Sequence, residues 1–380
     1  MLVNGFEIAP VDSARDRRDF FRVLRRVYAD DPAWSPPLAF DALGRLNPKT
    51  NPGLRALDAA MWVARRKGEP VGRISAQINP AFQARHGAQI GHFGHFETVE
   101  DGALAKALFE VAERWLVARG ATSALGPFNF TINDECGALI DGFDTPPVIM
   151  MPHGRPYYAN MYEAAGYAKA KDLIAYHFES GVEPPPRLSR IAARVAEDPS
   201  VTLRGLDMKN FARDVRTVLD IYNDAWSENW GFVPFSDEEI THAASEMRLL
   251  LSPHSLAVAE VDGEPVAFAL ALPDLIEAAR GLDGRLFPFG WARLLYRLKT
   301  NRVAGARLPL LGLRREWHGA PLGAALVYAI LEKLRCDHQR RGVRWAELSW
   351  ILEDNRRVRG IIESYGATPY KTYRIYEKTL

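Results

Sequence analysis

Residues 68–71 read Gly68-Glu69-Pro70-Val71, and residues 263–266 read Gly263-Glu264-Pro265-Val266. Each tetrapeptide stands between two short apolar runs, 62–66 with 71–78 and 256–261 with 266–272. Apolar runs broken by a Gly-containing pair predict a β-hairpin. The repetition extends outward. Gly166 and Gly366 each follow a short helical stretch, and in the strands beyond them Lys171 and Tyr176 match Lys371 and Tyr376 at a 200-residue offset. Each half also carries one amphipathic helix, near 103–119 and 322–339, closed by Arg119-Gly120 and Arg341-Gly342. A repeat of nearly half the chain is too long for a solenoid unit, so it predicts two copies of one domain.

The rest of the pattern fits two mixed α/β copies. The first reads as a helix over 12–29, an irregular connection over 30–53, and strands at 61–66, 70–78 and 90–97. The helix 103–119, a strand near 122–126, a short helix at 156–165 and a strand at 170–179 complete it. Glu183-Pro184-Pro185-Pro186 reads as a linker. The domain boundaries expected are 1–182, a linker over 183–200, and 201–380. The second copy is expected to hold 201–207, a helix around 209–226, the hairpin 256–272, strands at 307–314, 345–351 and 370–377, and helices at 322–339 and 355–365. An insertion over 273–306 has no counterpart in the first copy.

Composition excludes several classes. At 380 residues, 47% hydrophobic and 25% charged, the chain is an ordinary globular protein. A net charge of +1 gives no support to a nucleic-acid partner. The two cysteines, Cys136 and Cys336, suggest neither a disulfide framework nor a metal site, and Cys136 reads as a buried, inert thiol. The opening MLVNGFEIAP lacks the basic start and apolar run of a signal peptide, and no stretch reaches the roughly twenty apolar residues of a spanning helix. The expected location is the cytoplasm or the inner face of a membrane.

Three stretches carry chemistry. The first is LLGLRREWHGAPLGAAL, 310–326, a strand running into a helix. Helix N-termini present free N–H groups and a positive dipole end, which suits phosphate. Gly319 and Gly323 permit close approach, Arg314, Arg315 and His318 add donors, and Ala324 lies in the first turn. In the first copy the matching position is acidic, Glu100-Asp101-Gly102-Ala103, which repels phosphate. The second stretch is GHFGHFE, in which strand alternation places His95 and Glu97 on one face and His92 on the other. Glu97 is the preferred general base, with His92 and His95 as rivals. The third is GPFNFTINDECGALIDGFDTPP, a long aperiodic loop whose Asn129, Asn133 and Glu135 are candidates to bind a polar head; Asx turns that satisfy only the backbone are the alternative. From Arg285 to Arg307 the basic residues Arg285, Arg293, Arg297, Lys299, Arg302 and Arg307 occur without a carboxylate, interleaved with Phe287, Phe289, Trp291, Leu294, Leu295, Tyr296 and Leu298. Such a segment reads as a lipid-facing element. An RNA-binding patch or a docking face against the first copy are its alternatives.

The strand-to-helix junction resembles the GNAT acyltransferases, whose pyrophosphate loop has the pattern Arg/Gln-x-x-Gly-x-Gly/Ala. Here His318, Pro321 and Gly323 stand at those positions. Asn355 opens the next helix as in the family, and Ile362 occupies the register of a tyrosine that protonates the departing thiolate. In the first copy Tyr162 falls in that register. Over nearly the whole chain, GHFGHFE, GPFNFTINDECG, ELSWILEDN and YKTYRIYEK resemble the bacterial ceramide synthase group. The resemblance implies two tandem GNAT-like domains of mixed α/β fold and long-chain acyl transfer from a thioester to the amine of a sphingoid base or its 3-keto form. It implies acyl-CoA or acyl-carrier protein as donor and no metal, and the basic, aromatic insertion adds an anionic membrane surface as a partner. A small-molecule acetyltransferase, a tRNA-dependent aminoacyl transferase and a non-catalytic binding module are the alternatives.

Overall fold

The computed structural model describes residues 2, 3 and 5–380. The chain divides into two compact units, and neither is contiguous in sequence. Unit 1 comprises 1–173, 279–291 and 371–380, and unit 2 comprises 174–278 and 292–370.

In chain order the first half forms β1 (Leu2–Val3), β2 (Phe6–Pro10), α1 (Ala14–Val27), α2 (Ala39–Arg45), α3 (Pro52–Arg55), β3 (Asp58–Arg66) and β4 (Glu69–Ile78). Then come α4 (Pro80–His86), β5 (Ile90–Thr98), α5 (Gly102–Val117), β6 (Ser123–Gly126), β7 (Ala138–Asp141), α6 (Tyr158–Ala164) and β8 (Ala168–Glu179). The second half forms α7 (Pro186–Glu197), β9 (Val201–Arg204), α8 (Phe211–Trp226), α9 (Asp237–Met247), β10 (Leu256–Val261), β11 (Glu264–Pro273), α10 (Leu275–Ala279) and α11 (Gly290–Lys299). It closes with β12 (Gly305–Leu313), α12 (Pro321–Arg340), β13 (Trp345–Leu352), α13 (Arg356–Ser364) and β14 (Thr368–Thr379).

Both repeated tetrapeptides make the same turn. Lys67-Gly68 and Asp262-Gly263 all have φ between 50° and 84°, and the strands pair as Arg66↔Glu69 and Val261↔Glu264. Two consecutive left-handed residues make the two-residue hairpin turn whose twist matches its strands. In each unit the hairpin leads across the sheet to a parallel pair. Unit 1 runs β2-β3-β4-β5-β6, with β5 and β6 parallel, and unit 2 runs β9-β10-β11-β12-β13, with β12 and β13 parallel.

The repeat ends differently from the sequence expectation. The last strand of the chain pairs with β6 in unit 1, Tyr376 opposite Gly126, whereas Ile174–Glu179 of β8 belong to unit 2 beside β13. The contiguous boundaries at 182 and 201 are therefore corrected by an exchange of final strands. The linker shrinks as well, because 186–197 form α7, whose Leu188, Ala192 and Val195 are buried in unit 2. The insertion is bounded by strands ending at Pro273 and starting at Gly305, and its tip, 279–291, is part of unit 1. There the Ala39 amide donates to the Gly284 carbonyl across 3.0 Å, and Arg25 pairs with Asp283 at 2.8 Å.

Candidate active site

Unit 2 carries an open cleft. β12 and β13 pair only from Gly305↔Trp345 to Leu308↔Leu348. Beyond that they part, and a cleft of about 780 Å³ opens between Pro309–Leu313 and Ser349–Leu352. Trp226, Trp230 and Trp317 add aromatic wall, and the start of α12 contributes Ala320, Pro321 and Ala324. The cap residue of this 20-residue helix is Ala320, which offers no side-chain hydrogen bond to the first turn. Its leading N–H groups are left for other acceptors.

The sequence-predicted residues divide around this cleft. Arg315, His318, Gly319, Ala324 and Asn355 line it. Arg315 is held by Glu228 at 2.5 Å and Asp224 at 3.5 Å. The His318 ring is 2.9 Å from the Leu313 carbonyl, and Asn355 caps α13 by accepting from the Val358 amide. Arg314 is instead tied to Asp220 at 2.5 Å and to the Pro265 carbonyl, outside the cleft lining. Gly323 also has a different reason for being glycine: a Cβ there would lie 2.2 Å from the Trp317 carbonyl oxygen. It lets the turn 315–320 fold onto α12 rather than opening a path for phosphate. Gly319, at φ +81° with nothing near its missing Cβ, makes the turn itself.

At the point where the strands part lies a buried cluster that sequence reasoning missed. Arg307 donates to the Ser349 hydroxyl at 3.0 Å and to its carbonyl at 3.1 Å. The hydroxyls of Ser349 and Tyr370 both donate to Glu347. Only the composition of ELSW hinted at it, since a Glu and a Ser two apart on a strand share a face.

Unit 1 has closed the equivalent notch. β5 and β6 pair from Ile90↔Ser123 to His92↔Leu125, and the loop 127–137 then fills the gap. The Phe128 amide donates to the Phe93 carbonyl at 2.8 Å, and Gln77 donates to the carbonyls of Phe128 and Phe130. Helix α5 is capped by its own carboxylate, since Asp101 accepts from the Leu104 amide and pairs with Arg66 at 2.5 Å. An already satisfied, negatively capped N-terminus offers phosphate nothing.

What unit 1 offers is a buried carboxylate. Glu97 accepts hydrogen bonds from the hydroxyls of Tyr158 at 2.6 Å and Tyr28 at 2.7 Å, and Arg73 stands 3.8 Å away. Burial raises the Glu97 pKa, while Arg73 and the two tyrosines oppose the rise. Tyr28 and Tyr158 are themselves pushed well above the usual phenol range, first by burial and then by the Glu97 charge, so both remain donors.

The two histidines depart from simple alternation. Register shifts between Arg73↔Glu97 and Ser75↔Gly94, and His95 sits in the resulting bulge at φ +49°. One extra residue reverses the facing of everything beyond it. His92, paired with Gln77, and Glu97, paired with Arg73, consequently share a face, contrary to the expectation from strict alternation. His92 is wedged edge-on between Phe82 and Phe128 with neither ring nitrogen hydrogen-bonded, and burial pushes its pKa down to about 3. His95 packs on Phe130, with its Nδ1 3.0 Å from the Ser75 hydroxyl, and burial holds it well below the usual range. Burial thus disfavours the charged form of both rings.

Asn129 uses both ends of its amide internally, accepting from the His95 amide at 2.7 Å and donating to Glu135 at 2.9 Å. It and Glu135 hold the plug loop, and the Asn133 amide bonds the Thr131 hydroxyl in the same turn. Tyr162 is a core residue, stacked on Tyr376 at 4.6 Å and packed on Phe96 and Phe109. One helical turn earlier, Tyr158 holds the polar position; the adjacent tyrosines of RPYYANMY were the available signal. Trp291 is half exposed, its indole N–H donating to the Pro288 carbonyl. Cys136 is buried, as expected.

No protein-family model matches the chain. A bacterial ceramide synthase of Caulobacter vibrioides is 40% identical over 374 residues, covering 98% of this chain and 97% of that protein. The chain belongs to the bacterial ceramide synthase family. Protein YghO of Escherichia coli K12, 40% identical over 366 residues, covers 96% of this chain and 93% of its own. Among solved structures, a tandem GNAT protein from the clavulanic acid biosynthesis pathway matches with a TM-score of 0.57 at 15% identity, over 98% of both chains. A GCN5-related N-acetyltransferase from Sphaerobacter thermophilus matches at 0.55 and 15%, over 100% of this chain and 97% of that one. The fold of this ceramide synthase family member is thus the tandem GNAT fold, and the protein is an acyltransferase.

Proposed function

We propose that this protein transfers a long-chain acyl group from a thioester to the amine of a sphingoid base or its 3-keto form. Unit 2 binds the phosphopantetheine end of the donor, CoA or carrier protein, and unit 1 contributes Glu97 as proton acceptor. The observation that carries the reading is the contrast between two matching helix starts: α12 without a capping side chain beside an open cleft, α5 sealed by Asp101 beside a filled one. In the step, the amine nitrogen bonds the thioester carbonyl carbon, its proton passes to a base, and the C–S bond breaks to release thiolate, which takes up a proton. A buried carboxylate with a raised pKa fits the first proton transfer. The 40% identical bacterial ceramide synthase supports the acceptor class.

Access to a lipid acceptor fits the insertion. Phe287 and Phe289 are about four-fifths exposed, and Phe40, next to the Ala39–Gly284 bond, is equally bare. These rings, in unit 1, suit insertion into a bilayer surface, and Arg293, Arg297 and Arg302, in unit 2, suit anionic headgroups. No helix among the described residues is long and apolar enough to cross a membrane.

The test is a matrix of purified protein, CoA and carrier-protein thioesters of two to eighteen carbons, and long-chain or small amines, read by mass spectrometry. The expected product is an amide of a long-chain acyl group with a sphingoid amine. Amide formation confined to acetyl groups and small amines would overturn the reading.

A further inference from the structure

Behind the donor cleft of unit 2 lies a second, smaller cavity of about 60 Å³. Leu308, Leu348 and Ile362 line both spaces. Leu308 and Leu348 are the last paired residues before β12 and β13 part, so the partition stands at the inner end of the cleft. Beyond it the walls are Phe178, Leu331 and Leu334, with room left by the alanines at 271, 306 and 346. The polar residues in the lining are engaged elsewhere. The Ser180 hydroxyl donates to the Val343 carbonyl, Arg335 bonds Glu332 and the Ser180 carbonyl, and the His338 ring lies 3.1 Å from the His254 carbonyl.

We infer that this cavity receives the distal carbons of the donor's acyl chain, with Leu308, Leu348 and Ile362 as its doorway, and so sets the preferred chain length. The inference rests on unit 2 being the donor site. On the face of the sheet opposite Arg307 and Glu347, an apolar chain passing from the cleft toward the parting of the strands meets this partition. A cavity that holds benzene measures about 150 Å³, so 60 Å³ accommodates a few carbons and no more. Each methylene that enters should tighten binding about four-fold, and gain should stop when the space is full.

The test measures affinity of the full chain for acyl-phosphopantetheine thioesters of two to eighteen carbons, the part common to both carriers, by calorimetry below their micellar concentrations. The parent protein should bind more tightly with each added carbon up to a plateau. Ala271→Leu, which fills the cavity, should move the plateau at least two carbons shorter and leave acetyl affinity unchanged. Ile362→Ala, which widens the doorway, should move it longer. Thermal melting checks that each variant is folded, and Ala346→Val replaces Ala271→Leu if that variant is not. Chain-length dependence that is flat, or identical in all folded variants, overturns the inference while leaving the donor site standing. Absence of binding at every chain length overturns the donor reading itself.

Discussion

The Tyr158 hydroxyl donates to Glu97 across 2.6 Å, one helical turn before the tyrosine that family register singles out. Glu97 thereby keeps two phenolic donors on one oxygen in a buried setting that otherwise favours its neutral form. The Glu97→Gln protein should fold and lose roughly 10²–10⁴-fold in turnover, the range of general acid–base catalysis. Full activity in that variant would remove Glu97 from the chemistry.

The same hydrogen bonds give a pH dependence of defined sign. Turnover through the carboxylate is present above the Glu97 pKa and lost as pH falls through it. Tyr158 and Tyr28 stabilise the charged form. Tyr158→Phe and Tyr28→Phe should each move the acid limb of the rate profile to higher pH, and Arg73→Gln should do the same. A limb that stays put in all three would show that a different group governs it.

Donor affinity and stability should respond in opposite directions at the start of α12. Ala320→Asp places a capping carboxylate where the helix has none. It should stabilise the fold by about 0.5–2 kcal/mol, as caps do, yet weaken acyl thioester binding at least ten-fold by occupying the N–H groups and repelling phosphate. Asp101→Ala should cost stability and leave donor affinity intact, because that cap is already spent on Leu104. Melting curves and calorimetry together decide it.

Gly94 should tolerate no side chain. A Cβ there would lie 1.8 Å from the Phe128 carbonyl oxygen, which is backbone and cannot swing aside. Gly94→Ala should expel the plug loop and lower the melting temperature far more than Gly102→Ala, whose Cβ meets nothing within 4 Å. Equal effects would mean that the plug is dispensable.

Membrane association should separate into two parts. Replacing Phe287, Phe289 and Trp291 with Ser should reduce sedimentation with vesicles at any salt. Replacing Arg293, Arg297 and Arg302 with Glu should abolish the salt-dependent part, at roughly 1 kcal/mol per basic residue. A parent protein that does not sediment with anionic vesicles at low salt would refute the surface role.

Local chemistry was legible in the chain. Periodicity and turn residues located both hairpins, the helices at 14–27, 102–117, 211–226 and 321–340, and the strands between them. These features depend on residues a few positions apart, which is the range over which sequence speaks directly. Helices α4 and α9 escaped because their apolar faces are short or interrupted, whereas α7 has a regular apolar face, Leu188, Ala192 and Val195, that the preceding Pro184-Pro185-Pro186 run disguised as a linker. Glu97 and the junction at 310–326 stood out by residue type alone.

Partnerships between distant segments were decided by tertiary structure. Lys171 with Tyr176 and Lys371 with Tyr376 give the two final strands one pattern, so the sequence cannot say which sheet each completes; the fold exchanges them. A single bulge at His95, set by pairing with β4, brings His92 and Glu97 to one face. Whether a glycine opens a path, as expected of Gly323, or admits the Trp317 carbonyl depends on what packs against it. The sequence alone determined two copies of one domain. Packing decided that one notch is open and the other plugged, because an opening between strands is filled or left by segments that lie far away along the chain.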